Sequence, residues 1–227
     1  MKTDLRDALR NSSYVGPRTS RAIATLLLIA GIGVGIWGVV YAVNGATQSK
    51  AMVAVPVSLE MDDGVAGVVD DRVPVRVTGI DLPANSLLQA TDGGLQLVQS
   101  FGNLSRWTGF LARGDAALFG LGFGACALLL VPVVNSVAAG EPFRRGNAAR
   151  IGWTAGIVGV VGMLAPTLPA LASVSVLDGL GLASPGSPFV IGLGFDLAPI
   201  GLSALIFVIA EAFRRGAQIS ADAAGLV

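Results

Sequence analysis

Long uncharged apolar runs alternate with short arginine-bearing segments along most of this chain, and one central stretch breaks the rhythm. Residues 1–21 are polar. Ala22–Val43 then carries no charge over 22 residues, and a helix needs about 20 to cross a hydrocarbon core. A cleaved leader is the rival reading, although a leader's apolar region is usually about 7–15 residues long. From Leu104 helical spacing returns in Leu104, Trp107, Phe110 and Leu111. This pattern predicts one long helix over 104–139 whose apolar part, Ala116–Val137, is a second span. Ile151–Leu171 is the third, to be kinked or ended in its last third by Pro166 and Pro169. Residues 172–189, with Asp178, Pro185 and Pro188, read as a loop. Val190–Ala210, closed by Glu211, is the fourth span, interrupted by Asp196 and Pro199; 212–227 is a tail.

The central stretch, 44–103, holds seven of the fifteen acidic residues. Met52–Met61 and Arg72–Ile80 are valine-rich and partly alternating, and Leu95–Val98 is a shorter run of the same kind. Asp92-Gly93-Gly94 between Leu87–Ala90 and Leu95–Val98 is a hairpin signal. Pro56 and Pro74 fall inside strand-like runs, which makes those strands edges or interrupted ones. A β unit of this size has a thin core and needs the helices or a partner to lean on.

One six-residue phrase occurs twice, 70 residues apart: Glu141-Pro142-Phe143-Arg144-Arg145-Gly146 and Glu211-Ala212-Phe213-Arg214-Arg215-Gly216. Each follows an apolar run. Each reads as a helix stop, because arginines suit the negative end of the helix dipole and glycine suits a left-handed residue after the last turn. Arginine pairs also mark the cytoplasmic face. Ten of the fifteen basic residues lie in the N-terminal tail, the 140–150 loop and the C-terminal tail, which places both termini inside. The dipole disfavours Glu141 and Glu211 at helix C-termini. A pseudo-two-fold arrangement of two helix hairpins would set Glu141 against Arg214 or Arg215, and Glu211 against Arg144 or Arg145. The remaining arginines would be left for anionic lipid or an acidic partner.

Composition supports a membrane chain and removes much chemistry. The sequence is 53% hydrophobic and 13% charged, with zero net charge and mean hydropathy +0.71. No global field argues for direct nucleic-acid binding. The absence of histidine removes the commonest catalytic base and metal ligand. The single cysteine, Cys126, permits neither an internal disulfide nor a thiolate cluster. No nucleophile–base pair or metal set is visible, so no enzyme and no cofactor is expected. Thirteen arginines against two lysines fit a GC-rich bacterial genome.

Small residues recur every four positions on the runs: Gly31 and Gly35; Ala116, Gly120 and Gly124; Gly152 and Gly156; Gly194 and Ala198. Such faces let helix backbones approach closely in lipid. They serve either one compact bundle or a face left over for a homo-oligomer. Asp196, about two turns into the fourth run, is costly in a membrane. It is either paired with Arg113 at the outer end of the second helix, or used for protons or solutes, or solvated.

Pro142-Phe143, Asn147 and Arg150-Ile151-Gly152, then Phe213-x-x-Gly216, Asp222 and the terminal Leu226-Val227, resemble a bacterial membrane family catalogued as domain of unknown function 2975. The resemblance covers essentially the whole chain. It implies four spans with an extracytoplasmic segment between the first and second, and in many members a companion helix-turn-helix regulator. It also adds Phe143, Asn147, Arg150 and Phe213 to Glu141, Arg144, Arg145, Glu211, Arg214 and Arg215 as candidate cytoplasmic rim or partner contacts.

The expected fold is therefore a membrane all-α four-helix bundle with a small β-rich extracytoplasmic insertion between helices 1 and 2, in the bacterial inner membrane. The expected role is a sensor or a regulatory or accessory subunit with a cytoplasmic or membrane partner. The alternative is a small transporter or channel component using Asp196.

Overall fold

The computed structural model describes residues 16–48, 52–59, 74–75, 82, 84, 86–91, 94–100, 105–183, 189–190 and 196–225. The described chain is mostly helical and carries a small antiparallel sheet. Three of its helical stretches are long and apolar enough to cross a membrane: Arg18–Thr47, Gly114–Ala138 and Asn147–Gly179. At most 28% of the residues in their most apolar windows are buried inside the protein, so most of that apolar surface needs a partner other than water. By backbone contacts the chain divides into two compact units: Met1–Val34, Gly122–Gly159 and Ala198–Val227 form the first, Gly35–Leu121 and Val160–Leu197 the second.

Helix α1 (Pro17–Thr47) is longer at both ends than the predicted run. Pro17 opens it at a position whose N–H has no helical acceptor in any case. The predicted single helix over 104–139 is two: α2 (Arg106–Leu111) and α3 (Gly114–Ala138), parted at Ala112–Arg113. Gly109 and Gly114 flank the break, and glycine is the weakest ordinary helix former. α4 (Asn147–Leu164) and α5 (Thr167–Gly179) are likewise parted at Ala165–Pro166. Pro169 sits in the first turn of α5, where its missing N–H costs nothing. Residues 172–179, expected in a loop, are thus helical. α5 stops at Gly181 (φ 69°), where Gly181 N–H reaches Asp178 O and Leu182 N–H reaches Leu177 O, the paired bonds of a Schellman cap.

Within the second unit, β1 (Met52–Leu59), β2 (Pro74–Val75), β3 (Ser86–Thr91), β4 (Gly94–Ser100) and β5 (Phe189–Val190) lie in the order β2-β3-β4-β1-β5. β2 and β5 give only two residues each, so the body is three strands. Thr91 pairs with Gly94, the register of a two-residue hairpin; Asp92 and Gly93 lie outside the described residues. Val53, Val55 and Val57 alternate onto one face of β1 and are buried. They pack with Leu88, Leu97, Leu111, Phe189 and, from α5, Ala172, Val176 and Leu177. Pro56 is tolerated because its carbonyl side meets no long strand there: that oxygen accepts from Ser173 Oγ of α5 at 2.7 Å. Thr108 of α2 and Ser175 of α5 share a hydroxyl bond of 2.9 Å.

α1 and α3 meet through glycine. In the first unit a Cβ on Gly31 would strike Ala127, and one on Gly124 would lie 3.0 Å from Gly31 O. In the second unit Gly35 faces Gly120, and a Cβ on Gly38 would strike Ala116 O. The expected small-residue faces are used here for contact within the chain. Gly194 lies outside the described residues, and Gly156 has open space where a Cβ would stand.

The last helix departs most from expectation. α6 runs Ala198–Gly225, not from Val190, and Val190 is in β5. Asp196 therefore precedes the helix and is exposed rather than two turns inside it. Pro199, taken as an interruption, is the second helical residue, where proline is at home. The second Glu-x-Phe-Arg-Arg-Gly phrase lies wholly inside α6, so it is not a helix stop.

Candidate functional site

The first phrase sits between α3 and α4, and its shape follows from three residues. Gly140 (φ 79°) ends α3: its N–H reaches Val137 O, and Glu141 N–H reaches Ser136 O, again a Schellman cap. The stop is therefore Gly140, one residue ahead of the phrase. Pro142, with no N–H to give, cannot continue α3. Gly146 (φ 95°) turns the chain into α4. The second phrase has Ala212 in place of Pro142 and an alanine continues a helix freely.

Asn147, the first residue of α4, is fully buried. Its Nδ2 donates to Pro142 O at 2.9 Å and to Ser136 Oγ at 2.6 Å, while Ser136 Oγ donates to Val133 O at 2.8 Å. A carbonyl can only accept, so the amide orientation is dictated. Oδ1 has no partner among the described residues. Asn147 thereby ties the phrase back onto the last turn of α3. The sequence offered no signal for Ser136 as its partner.

The two phrases do meet, through their phenylalanines and a glycine. The Phe143 and Phe213 rings lie 5.7 Å apart at 59°, and a side chain on Gly216 would strike the Phe143 ring. Behind them Val133, Ile151 and Ala210 form a buried cluster joined by Ile206 and Phe213. The expected cross-pairing of charges is absent among the described residues. Glu211 instead binds its own helix neighbours: Arg214 Nε donates to Oε2 at 2.7 Å and Arg214 Nη2 to Oε1 at 2.8 Å, and Arg215 Nε donates to Oε1 at 2.8 Å. The reason is helical spacing. Inside α6 the arginines stand three and four residues beyond Glu211, on its own face. Hydrogen bonds from Arg214 and then Arg215 draw the Glu211 carboxyl down to about 2. Glu141, Arg144 and Arg145 are exposed and Arg150 partly so, and none of them is in an ion pair among the described residues.

Beside these phrases, α4 and α6 enclose a groove of about 580 Å³. Phe207, Ala210 and Gly152 line it with apolar surface, and Arg144, Arg145 and Arg214 line it with charge. Phe207 was not among the expected site residues, and only the packing of the helices brings it here.

The expected Arg113–Asp196 ion pair is not among the described ion pairs. The Arg113 guanidinium lies over the Tyr41 ring, 4.9 Å from its centroid, a cation–π arrangement. No family model matches this chain, and neither does any curated protein or solved structure.

Proposed function

We propose that the chain is an integral protein of the bacterial cytoplasmic membrane, with four spans, both termini inside and the sheet outside. On this reading it is a non-enzymatic sensor or a regulatory or accessory subunit, coupling the sheet to a cytoplasmic or membrane partner. The ten-to-five bias of basic residues supports this sidedness. Both termini inside requires an even number of crossings, so this reading assigns the fourth to α6, although its uncharged part, Ala198–Ala210, falls short of the about 20 residues of a full crossing before Glu211.

One observation carries the coupling: the sheet and a span share one core. Val55 and Val57 of β1 pack with Val176 and Leu177 of α5, and Ser173 is bonded to Pro56. α5 in turn ends the candidate span Asn147–Gly179. A ligand that shifts the sheet therefore moves α5, which joins α4 through the short break at Ala165–Pro166. The carrier alternative needed Asp196 inside a span; Asp196 precedes α6, and no other observation favours it.

The test is photo-crosslinking from position 145 in native membranes, comparing the unchanged chain with Leu177→Ala. A discrete protein adduct whose yield falls in the variant is expected. An adduct indifferent to Leu177→Ala, or none, overturns the coupling. A proton-driven flux in proteoliposomes that Asp196→Asn abolishes would restore the carrier.

A further inference from the structure

We infer that the groove between α4 and α6 is a binding site for one anionic phospholipid of the bilayer, phosphate toward the arginines and acyl chain along the apolar wall. The inference rests on the reading that α4 and the apolar part of α6 lie in the membrane. The groove, about 580 Å³, is open along its length, which suits a partly embedded lipid better than an enclosed small molecule.

Its two walls carry the same polarity gradient. On α6, Phe207, Ala210 and Arg214 follow at spacings of three and four, so they form one stripe that passes from apolar to charged; Arg214 is itself paired with Glu211, which leaves Arg144 and Arg145 as the cations in no ion pair among the described residues. At 1.5 Å per residue the passage from Phe207 to Arg214 takes about 10 Å, the scale on which a lipid changes from acyl chain to phosphate. On the opposite wall Gly152 and Ala148 give way to Arg145 and Arg144. The N-terminus of α4 adds the positive end of a helix dipole at the same place, although its first amide, Asn147 N–H, is already bonded to Arg144 O at 3.1 Å.

The charge there is available. Glu211 is the one acid in the lining, and both its oxygens are taken by Arg214 and Arg215. Arg144 and Arg145 are exposed and in no ion pair among the described residues. A free phosphate would satisfy the arginines and leave the apolar half wet. A zwitterionic lipid would fill the apolar half and bring a second cation to the arginines. Only an anionic lipid meets both. The apolar end also continues into lipid-exposed surface, since Leu205, Phe207 and Val208 are all half-exposed or more.

The test uses the full chain in a non-ionic detergent, titrated with phosphatidylglycerol, phosphatidylcholine or inorganic phosphate and read by native mass spectrometry and melting temperature. Phosphatidylglycerol should saturate one site, raise the melting temperature and outcompete phosphatidylcholine. Arg144→Gln with Arg145→Gln should weaken it roughly thirtyfold, from the usual contribution of two arginines near anionic lipid. Gly152→Leu should weaken it too, by filling the apolar half without touching a charge. Its Cβ would stand 3.7 Å from Phe207, an ordinary contact, so this variant keeps the test open if the arginine pair proves unstable. Arg18→Gln with Arg21→Gln removes the same charge elsewhere and should leave binding unchanged. Equal affinity for phosphatidylcholine, equal loss in the Arg18/Arg21 variant, or full stabilisation by inorganic phosphate alone would overturn the site. Because these titrations run in detergent, failure of the membrane reading shows separately, as a chain released from membranes by alkaline wash.

Discussion

Two side chains decide how the repeated phrase behaves locally. Asn147 is buried and holds the turn between α3 and α4 through Ser136 and Pro142. Asn147→Ala removes the donor to the buried Ser136 hydroxyl and to the part-buried Pro142 carbonyl, a loss of about 1–3 kcal/mol. Asn147→Asp keeps the shape but sets a buried carboxylate against that carbonyl, and costs more. Melting temperatures in detergent should fall in the order unchanged, Ala, Asp; an aspartate as stable as asparagine would contradict the hydrogen-bond direction assigned here. Glu211 has its proton affinity lowered, to about 2 from 4.5, by Arg214 and Arg215. The proton therefore prefers the unfolded chain, and the helical contribution is complete above pH 4.5 and lost as pH falls toward 2. The carboxyl chemical shift of Glu211 should titrate near 2, and in Arg214→Gln its midpoint should move back toward 4.5. A Glu211 midpoint already at 4.5 in the unchanged chain would show these bonds to be absent in solution.

Among elements, the contrast between the phrases turns on one position. Pro142 and Ala212 are equivalent in the repeat, yet one follows the end of a helix and the other lies inside α6. Ala212→Pro should break α6 at a cost of about 3 kcal/mol or more, seen as lost helical circular dichroism and faster hydrogen exchange beyond residue 208. Pro142→Ala should not lengthen α3, because Gly140 at φ 79° already ends it. If exchange showed α3 extended through Phe143 in that variant, Pro142 and not Gly140 would be the stop. The start of α6 follows the same logic. Asp196-Leu197-Ala198-Pro199 is a helix opening, legible once proline is counted as a first-turn residue instead of an interruption.

For the molecule as a whole, the sidedness is the property most open to direct measurement. In a Cys126→Ala background, cysteine at Ala84 should react with an impermeant maleimide in intact cells, and cysteine at Ser220 only after lysis. Reaction at Ser220 in intact cells would sink the proposed arrangement. The apolar stretches and the hairpin near Asp92 were legible from sequence because both signals are local: a run of uncharged residues needs no partner to be recognised, and neither does a tight-turn pair between alternating strands. The small-residue faces of α1 and α3 were legible too, since closeness of approach is set by residue size. What the tertiary structure alone decided was partnership. Helical spacing gave Glu211 two arginines on its own helix, and no reading of the repeat could weigh that against arginines across the turn until the helix was known to continue. Phe143 found Phe213 and Gly216, Asn147 found Ser136, and Phe207 came to stand beside Gly152, all through the packing of α4 and α6 against the end of α3. Such contacts join residues dozens of positions apart, and their energies depend on distances that a one-dimensional pattern does not contain.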